Sequence, residues 1–490
     1  MNVRDVIVVG AGFGGLSAGA LLAKRGLDVL LLESSNELGG CAGKFDRGGY
    51  RFAVGATLGM GFEAGGTLAE LYQELGLPLP QMKLLPIIMD VHLPDLDIRY
   101  YQAKVRWYEE LERQFPQEHQ QMILFYEELI AVAEQFQKII ARKPMFPPVD
   151  WRGYKQVLGM ANLENAKLMP YMLQTVQDRL KKYGLAEHRQ FVAFLNGQLI
   201  DAVQTTVAGC PAFLGYIALN VFHRGAFYIY GGLATVAEDL AGSIRTHGGT
   251  VQLRSRVQQI AKRGDGWEVT TAKGQRYHAK QVVLNNSIHN LHGLFDADLG
   301  RKLRVREDEE RSRPAWGAYA LYLGCRDVFA SEALFHQFIE QYEAPLTEGN
   351  QFLVSLSATD DRLRAAEGKR ALTISTHTAL DRWWERSRYD ELKASYTERI
   401  MTSLERKFPQ VRAAVDMSLP ATPVTFQRYV LRERGKVGGY IPSGKFSWMS
   451  SYSPLSGLEG MWLCGDTVFP GAGTLGTALS GWIVADRISR

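Results

Sequence analysis

The first hydrophobic segment is a short run of β-branched residues, Val6 to Val9, which is typical of a strand buried in a parallel sheet. A glycine-rich turn follows, and then an alanine- and leucine-rich stretch with helical spacing from Leu16 to Arg25. A second apolar run, Val29 to Leu32, comes next. This order of strand, helix and strand predicts a βαβ unit of about thirty residues.

Beyond this unit, strand and helix patterns alternate. Residues 66–76 predict a short amphipathic helix, 84–105 alternate apolar and polar positions as strands do, and 105–140 predict one long helix. Residues 141–225 are apolar and helical in pattern but interrupted by prolines, and strand-like runs return between 250 and 284. The chain therefore predicts an α/β fold.

Composition excludes several classes of protein. The chain has 490 residues, of which 22% are charged and 11% aromatic, so it is neither disordered nor a coiled coil. A net charge of +4 is too small to indicate nucleic acid as a partner. The four cysteines are far apart and form no CxxC pair, which predicts a reducing, cytoplasmic compartment.

Membrane-spanning segments are not predicted. The first apolar run is punctuated by glycines, unlike a signal peptide. The longest uncharged stretch, Ala202 to Phe222, carries Gln204, Pro211 and Asn220, so it is a poor spanning helix. We expect a protein that is soluble or attached to a membrane surface.

The turn after the first strand matches the dinucleotide-binding pattern GxGxxG. Gly10 permits the tight turn, Gly12 lets the backbone approach a pyrophosphate beside Gly14, and Gly15 lets the helix pack against the strand. The helix N-terminus presents free N–H groups to phosphate. Glu33 ends the second strand and is placed to accept hydrogen bonds from an adenosine ribose.

Downstream residues favour FAD over NAD. A second glycine pair, Gly39-Gly40, follows Glu33, and Lys44 and Gly55 come after it. A nicotinamide dehydrogenase has no particular need for this second pair, whereas FAD is longer than the first loop can hold. We therefore predict that Gly39, Gly40, Lys44 and Gly55 contribute to an FAD site.

The C-terminal segment supplies the other half of the predicted site. The strand-like run Met461 to Cys464 ends in Gly465-Asp466, and a loop leads to a helical pattern that begins near Gly473. Asp466 is placed to bind the ribityl hydroxyls. The N-terminus of the last helix, with Gly473, Thr474 and Leu475, is placed to face the flavin ring with its positive dipole end.

These motifs resemble a known family. The N-terminal fingerprint, Gly39-Gly40, Gly231-Gly232-Leu233 and the segment Cys464 to Gly473 are similar to the carotenoid desaturase and isomerase branch, also called phytoene desaturase-like, of the amine-oxidase-fold flavoproteins. The similarity is greatest to late-acting desaturases of acyclic carotenoids. The family often has an acid where this chain has Ala53.

The resemblance implies a discontinuous architecture. A Rossmann-like FAD-binding domain of the amine oxidase and glutathione reductase type would carry an inserted α+β substrate domain. In the family, the residue matching Val257 contacts the adenine through its backbone. We predict an FAD-binding domain from residues 1–80, 226–294 and 426–490, and a substrate-binding domain from 81–225 and 295–425.

The resemblance also implies the function. We expect an FAD-dependent desaturase of a long apolar isoprenoid, an acyclic carotenoid, in which an allylic C–H gives a hydride to flavin N5 and oxygen or a quinone reoxidises the flavin. The alternatives are a carotenoid cis–trans isomerase that uses reduced FAD, an amine oxidase, and a non-enzymatic prenyl-binding escort protein. The sequence names no catalytic acid or base.

A metal site is not predicted. His289 and His292 have the spacing of metal ligands, but no acid or cysteine lies near them in sequence.

One segment suggests contact with a lipid surface. Residues 138–182 contain nine basic and three acidic residues, interleaved with aromatic residues and methionines. This combination is typical of an interfacial anchor on anionic lipid, although lysines over an ordinary core give the same pattern. We expect a peripheral membrane protein.

Overall fold

The computed structural model describes residues 3–160, 162–306 and 313–489. Its strands are β1 Val3–Val9, β2 Val29–Leu32, β3 Lys44–Arg47, β4 Tyr50–Ala53, β5 Gly59–Met60, β6 Met82–Leu84, β7 Ile87–His92, β8 Asp97–Tyr101, β9 Ala226–Ile229, β10 Thr250–Gln252, β11 Val257–Arg263, β12 Gly266–Thr271, β13 Arg276–Leu284, β14 Trp316–Arg326, β15 Phe335–Ile339, β16 Gln351–Leu356, β17 Lys369–Thr378, β18 Val415–Ala421, β19 Lys436–Val437 and β20 Met461–Leu463.

The α-helices of the same ranges are α1 Phe13–Lys24, α2 Thr67–Leu75, α3 Lys104–Gln114, α4 His119–Ile140, α5 Trp151–Leu158, α6 Leu163–Ala166, α7 Met169–Met172, α8 Val176–Lys182, α9 Arg189–Val203, α10 Ala212–Arg224, α11 Leu233–Thr246, α12 Ala297–Lys302, α13 Tyr389–Lys407, α14 Val411–Ala414, α15 Pro423–Val430 and α16 Gly473–Ile488. The single helix predicted over 105–140 is wrong. Two helices, α3 and α4, occupy that range, and Pro116 lies in the break between them because proline cannot donate a helical hydrogen bond.

The first sheet is built on parallel pairing around β1. Strands β10, β2, β1 and β13 lie side by side, and β20 pairs in parallel with the end of β13. The antiparallel hairpin of β11 and β12 extends from β13. Residues Val6 to Val9 of β1 and all of β2 are buried because helices cover the sheet, which explains why these two stretches are unbroken apolar runs.

The second sheet lies in the other half of the molecule. Its strand order is β18, β14, β17, β16, β15, β7 and β8, and β19 pairs with the end of β14. All of these pairs are antiparallel except β15 with β7. Helices α9 and α10 pack with α4 over one face in a second hydrophobic core.

The two sheets therefore give a Rossmann-like half and an α+β half, and both fold-class predictions are confirmed. Two strand pairs join segments that we predicted to belong to different domains. Strand β6, in 81–225, pairs with β9, in 226–294. Strand β19, in 426–490, pairs with β14 of the second sheet.

The core of the first half depends on a close approach of two helices. Helices α1 and α16 pack side by side and run in the same direction, because Gly14 lies against Thr477 and Gly481 at one end and Arg25 donates to Asp486 at the other. Helix α1 is almost entirely buried, and α16 is buried from Ala478 to Ala485. A Cβ at Gly481 would lie 2.0 Å from the carbonyl oxygen of Gly14, so only glycine permits this distance between the backbones. The contact holds the start of α1 against the C-terminal helix.

No helix in the described ranges combines the length and apolar composition needed to cross a bilayer.

The helix contact generates a stability prediction. We expect Gly481→Val to lower the midpoint of thermal unfolding by about 1–3 °C, because overpacking at a rigid backbone contact costs about 1–3 kcal/mol and each kcal/mol moves the midpoint of a chain of 490 residues by about 1 °C. The matched control is Gly242→Val, also inside a helix, where a Cβ has no neighbour within 4 Å. Equal midpoints for the two variants would show that α1 and α16 do not pack as closely as described.

Candidate functional site

The glycine-rich turn lies between β1 and α1, as its sequence predicts. Gly10 has φ of +97°, in the region that favours glycine, and a Cβ at Gly15 would lie 2.2 Å from the Gly10 carbonyl oxygen. No side chain caps the N-terminus of α1. Its first residues line a cavity, so the free N–H groups of this helix are available to an anion.

Glu33 lies at the carboxyl end of β2 beside the same turn. Its Oε2 accepts a hydrogen bond of 2.7 Å from the Ala11 N–H, and its Oε1 accepts one of 2.7 Å from the Ser35 N–H. The side chain is 9% exposed and lines the cavity. This position suits an acceptor for ribose hydroxyls.

The second glycine pair folds back onto the first turn. The Gly39 N–H donates to the Ala11 carbonyl at 2.8 Å, and Gly39 and Gly40 both have positive φ. Lys44 lines the same wall, where it pairs with Glu37 at 3.2 Å and Asp46 at 2.8 Å. The two glycine motifs therefore form one continuous cradle.

The C-terminal segment completes the opposite side. Gly465 and Asp466 follow β20, and Arg432 donates a charged hydrogen bond to Asp466. Burial alone would lower the pKa of Arg432, but the adjacent carboxylate of Asp466 outweighs it and raises that pKa. No side chain caps the N-terminus of α16, which faces the cavity with Gly473 and Thr474.

One cavity of about 1340 Å³ joins these parts. All the cofactor-binding residues predicted from the sequence line this cavity except Gly15. Gly15 instead lies against the Gly10 carbonyl, behind the turn. The lining set is Gly10, Gly12, Gly14, Glu33, Gly39, Gly40, Lys44, Gly55, Val257, Gly465, Asp466, Gly473, Thr474 and Leu475.

A row of hydrogen bonds fixes the second sheet against this cradle. The Tyr322 hydroxyl donates to the Val54 carbonyl at 2.6 Å, and the Thr373 hydroxyl donates to the Ala53 carbonyl at 3.1 Å. Thr57 and Ser355 share a hydroxyl hydrogen bond of 2.7 Å. At Ala53, where the family often has an acid, this chain has no carboxylate, and the residue meets the second sheet through its backbone carbonyl.

The cavity continues from this row into an apolar chamber. Its floor is one face of the second sheet, and its roof is formed by helices α4, α9 and α10. Its apolar lining includes Met89, Ala133, Ile140, Phe213, Leu214, Ile217, Val221, Phe335, Leu353 and Leu419.

A polar group interrupts the apolar lining where α9 crosses the sheet. Asp201 accepts hydrogen bonds from the side-chain amides of Gln337, at 2.6 Å, and Gln351, at 2.9 Å. Burial raises the pKa of Asp201 to about 7, against the opposing effect of these two amides. His377 also lines the cavity, and burial lowers its pKa to about 4.

Three residues of the cavity, Asn285, Asp201 and His377, were not predicted from the sequence. Asn285 directly follows β13, and its Nδ2 donates to the Gly10 carbonyl at 3.3 Å. Its position at the carboxyl end of a parallel strand was a usable signal. Asp201 and His377 carried no such signal, because only the packing of α9 on the second sheet brings them to one cavity.

Comparison with known proteins identifies the family. Residues 13–489 match the family described as flavin containing amine oxidoreductase. The chain belongs to this family. Its FAD-binding cradle and α/β architecture agree with that membership, and the protein is an FAD-dependent oxidoreductase.

Two relatives of this flavin oxidoreductase have names that refer to carotenoids. It is 26% identical to the chloroplastic prolycopene isomerase of Daucus carota over 503 residues, which cover 99% of this chain and 80% of the relative. It is 25% identical to the 4,4'-diapophytoene desaturase (4,4'-diapolycopene-forming) of Methylomonas sp over 504 residues, 96% of this chain and 92% of the relative.

A solved structure shares the fold of this flavin oxidoreductase. Putrescine oxidase bound to putrescine superposes with a TM-score of 0.64 at 16% identity, and the match covers all of both chains. The family membership favours the enzymatic alternatives over a prenyl-binding escort protein.

The residues present fit FAD. Two helix N-termini without side-chain caps open onto the cavity, and Glu33 and Asp466 line it beside them. A Cβ at Gly40 would have only the Gly12 Cα within 4 Å, at 3.7 Å, so this part of the cradle has open space. The cradle is expected to hold the nucleotide along β1 and β2 and the flavin toward α16.

We expect Gly12→Val to remove most of the bound FAD. A Cβ at this residue would lie 2.8 Å from Asn285 Nδ2, and the branched side chain would stand where the backbone must approach phosphate. The measurement is the ratio of flavin to protein absorbance after purification, with Gly242→Val as the control. Full flavin content in folded Gly12→Val would remove the phosphate-loop assignment.

Proposed function

We propose that this FAD-dependent oxidoreductase acts on the carbon–carbon bonds of a long isoprenoid, an acyclic carotenoid, with desaturation as its first candidate reaction. The observation that carries the proposal is the single cavity that joins the FAD cradle to an apolar chamber. An extended hydrocarbon can lie in this chamber with one segment at the cradle. The names of the curated relatives support the same substrate class.

The side chains around the chamber bind, orient and exclude water. The sheet face and the helices α9 and α10 bury an apolar chain, which gains about 25 cal/mol per Å² of apolar surface removed from water. FAD, when bound, supplies the hydride acceptor. The hydroxyl row at Tyr322, Thr373 and Ser355 holds the sheet against residues 53–57 and so fixes the distance between chamber and cradle.

Cis–trans isomerisation is the second candidate, because a prolycopene isomerase matches nearly the whole chain. The two reactions differ in redox balance. A desaturase removes two hydrogens from each substrate and consumes one equivalent of an acceptor such as oxygen or a quinone. An isomerase changes only the geometry of double bonds and needs no net acceptor.

Incubation of the flavin-loaded protein with lipid-dispersed acyclic carotenoids tests both candidates. We expect products with longer conjugation, whose absorbance lies at longer wavelength, only when a quinone or oxygen is present. A changed isomer ratio with the same number of double bonds and no acceptor would select isomerisation. Loss of either conversion in Gly12→Val is the control. Peroxide release from amines, with every carotenoid unchanged, would contradict the proposal.

We also propose that the protein docks on an anionic lipid surface through the apolar patch, defined as Trp151, Tyr154, Leu158, Leu163, Met169 and Leu173. Leu163 is 88% exposed, Leu158 71% and Trp151 69%. Trp151, Tyr154 and Leu158 share one face of α5 by their i, i+3 and i+7 spacing. Arg152, Lys155 and Lys167 are exposed between them.

The position of the patch supports this proposal. Phe146, just before α5, packs on Phe469 with ring centres 5.4 Å apart, and Phe469 lines the cavity. Trp448 lies between Phe146, at 5.5 Å, and Phe213 of the chamber roof, at 5.9 Å. The segment that leads into the patch therefore contacts the wall of the cavity, and we propose that a lipid-dissolved substrate enters on this side.

Not every cation of residues 138–182 is available to lipid. Lys182 donates to Glu128 at 2.6 Å, and the Lys143 ammonium lies 3.5 Å from the centre of the Trp482 ring. These contacts are internal, so the charge-removal variant uses Arg142, Arg152, Lys155 and Lys167.

We expect the triple variant Trp151→Gln, Leu158→Gln, Leu163→Gln to bind phosphatidylglycerol vesicles at least about tenfold more weakly in co-sedimentation, because less apolar surface enters the interface. Replacement of Arg142, Arg152, Lys155 and Lys167 by glutamine should also weaken binding to these vesicles, and so should high salt. The matched control replaces Val105, Leu124 and Leu363, which are 71%, 52% and 57% exposed, by glutamine. Equal binding by the two triple variants would place the lipid contact elsewhere.

A further inference from the structure

The carboxylates of the cavity separate into two groups. Glu63 pairs with Arg224 at 2.9 Å, and Asp466 pairs with Arg432. In the described part of the chain, Glu33 and Asp201 are cavity carboxylates without a basic partner. Glu33 has the place of a ribose acceptor, whereas Asp201 lies in the second half of the molecule.

The surroundings of Asp201 form a built polar site, the Asp201 cage, defined as Gln198, Asp201, Gln337, Gln351 and His377. Gln198 Nε2 donates to Gln337 Oε1 at 2.8 Å, and Gln337 Nε2 donates to Asp201 and to the Gly197 carbonyl at 2.9 Å. A Cβ at Gly197 would lie 2.4 Å from Gln337 Oε1. The glycine thus lets α9 reach the sheet closely enough to form this network.

The cage retains hydrogen-bonding capacity. Gln198 and Gln351 are 1% and 0% exposed, yet the Oε1 of each has no hydrogen-bond partner in the described structure, and neither has His377 Nδ1. Gln198, Asp201 and His377 line the cavity. Buried polar atoms are nearly always satisfied, so the open atoms of Gln198 and His377, which line the cavity, indicate a ligand with a polar group.

The strand register places the cage away from the cradle. Thr373 lies opposite Tyr322 and Ser355 in the row that bonds to residues 53–57. Ser375, opposite Leu353, is two residues further along β17, and His377 is four residues further. At about 3.4 Å per residue, the cage lies roughly 7–14 Å along the strands from that row.

We propose that the Asp201 cage binds an oxygen-bearing end group, a hydroxyl or carbonyl, of an otherwise apolar isoprenoid. This inference rests on the proposed function for the isoprenoid class of the ligand. A hydroxyl can donate to Asp201 or to an open glutamine oxygen. A carbonyl needs a donor, which Asp201 supplies in its protonated form.

The pKa of Asp201, raised by burial to about 7, makes both forms accessible near neutral pH. His377 is the titratable side chain that faces the cage from β17, and its pKa, lowered by burial to about 4, keeps it neutral there. The other members of the cage, from α9, β15 and β16, are glutamines.

The test measures equilibrium binding to the flavin-loaded protein by calorimetry in detergent micelles. The probes are geranylgeraniol, the corresponding aldehyde, the corresponding hydrocarbon without oxygen, and geranylgeranylamine. We expect the alcohol and the aldehyde to bind about ten- to a hundredfold more tightly than the hydrocarbon at pH 6. The aldehyde should lose this preference as the pH rises through about 7, and the alcohol should keep it.

Two substitutions connect the preference to the cage. Asp201→Leu should bring the ratio of alcohol to hydrocarbon affinity to about one. Asp201→Asn should keep part of the preference for the alcohol and abolish the pH dependence of aldehyde binding. This variant retains the fold more readily than Asp201→Leu, because an amide can replace the carboxyl in the glutamine network. The exposed Asp298→Asn is the control and should match the native protein.

The inference is overturned if alcohol and hydrocarbon bind within twofold at pH 6 and pH 8, or if the preference survives in Asp201→Leu. The amine could instead bind more tightly than the alcohol, and this preference could disappear in Asp201→Asn. That result would assign the cage to a cation and reject an oxygen-bearing end group as its ligand. Conversion of hydrocarbon carotenoids without any alcohol preference would reject the cage but keep the proposed function. Failure of every isoprenoid to bind or react would reject the proposed function itself.

Discussion

The close approach of backbones around the first turn is the constraint on which the rest of the structure depends. Gly14 lies against Gly481 of the last helix, Gly10 against Gly15, and Gly39 against the first turn through Ala11. Side chains at these points would separate the backbones, and at Gly14 and Gly481 they would separate segments that are more than 400 residues apart in sequence. Because glycine keeps them together, one cradle is assembled from the N-terminal, second-loop and C-terminal segments, and the second sheet can attach to it at residues 53–57.

Much of the cradle could be predicted from the sequence, because its parts are local. The turn at Gly10 to Gly15, the acid at Glu33 and the strand end at Gly465-Asp466 each carry their own pattern of strand, glycine and helix. The chamber could not be predicted in this way. Asp201, Gln337, Gln351 and His377 lie on one helix and three strands, and no local pattern records which strands are neighbours. The break at Pro116 was visible in the sequence, but the periodicity on both sides obscured it.

The cavity combines two chemical environments in one space. At the cradle, helix N-termini and anchored carboxylates suit a polar dinucleotide, whereas the chamber offers a sheet face and helices for a hydrocarbon. The two are held at a fixed spacing by hydroxyl-to-carbonyl hydrogen bonds rather than by apolar contacts alone. The cofactor cradle and the substrate chamber are therefore built from different sets of residues around one space.

The most direct test of this account is an experimental structure of the flavin-loaded protein with a bound acyclic carotenoid. The account predicts FAD along β1 and β2 with its flavin toward α16, and the polyene between the face of the second sheet and helices α9 and α10, beside Ser375 and Leu353. A polyene bound outside this chamber, or a flavin separated from the chamber by protein, would contradict the claim that one cavity joins cofactor and substrate.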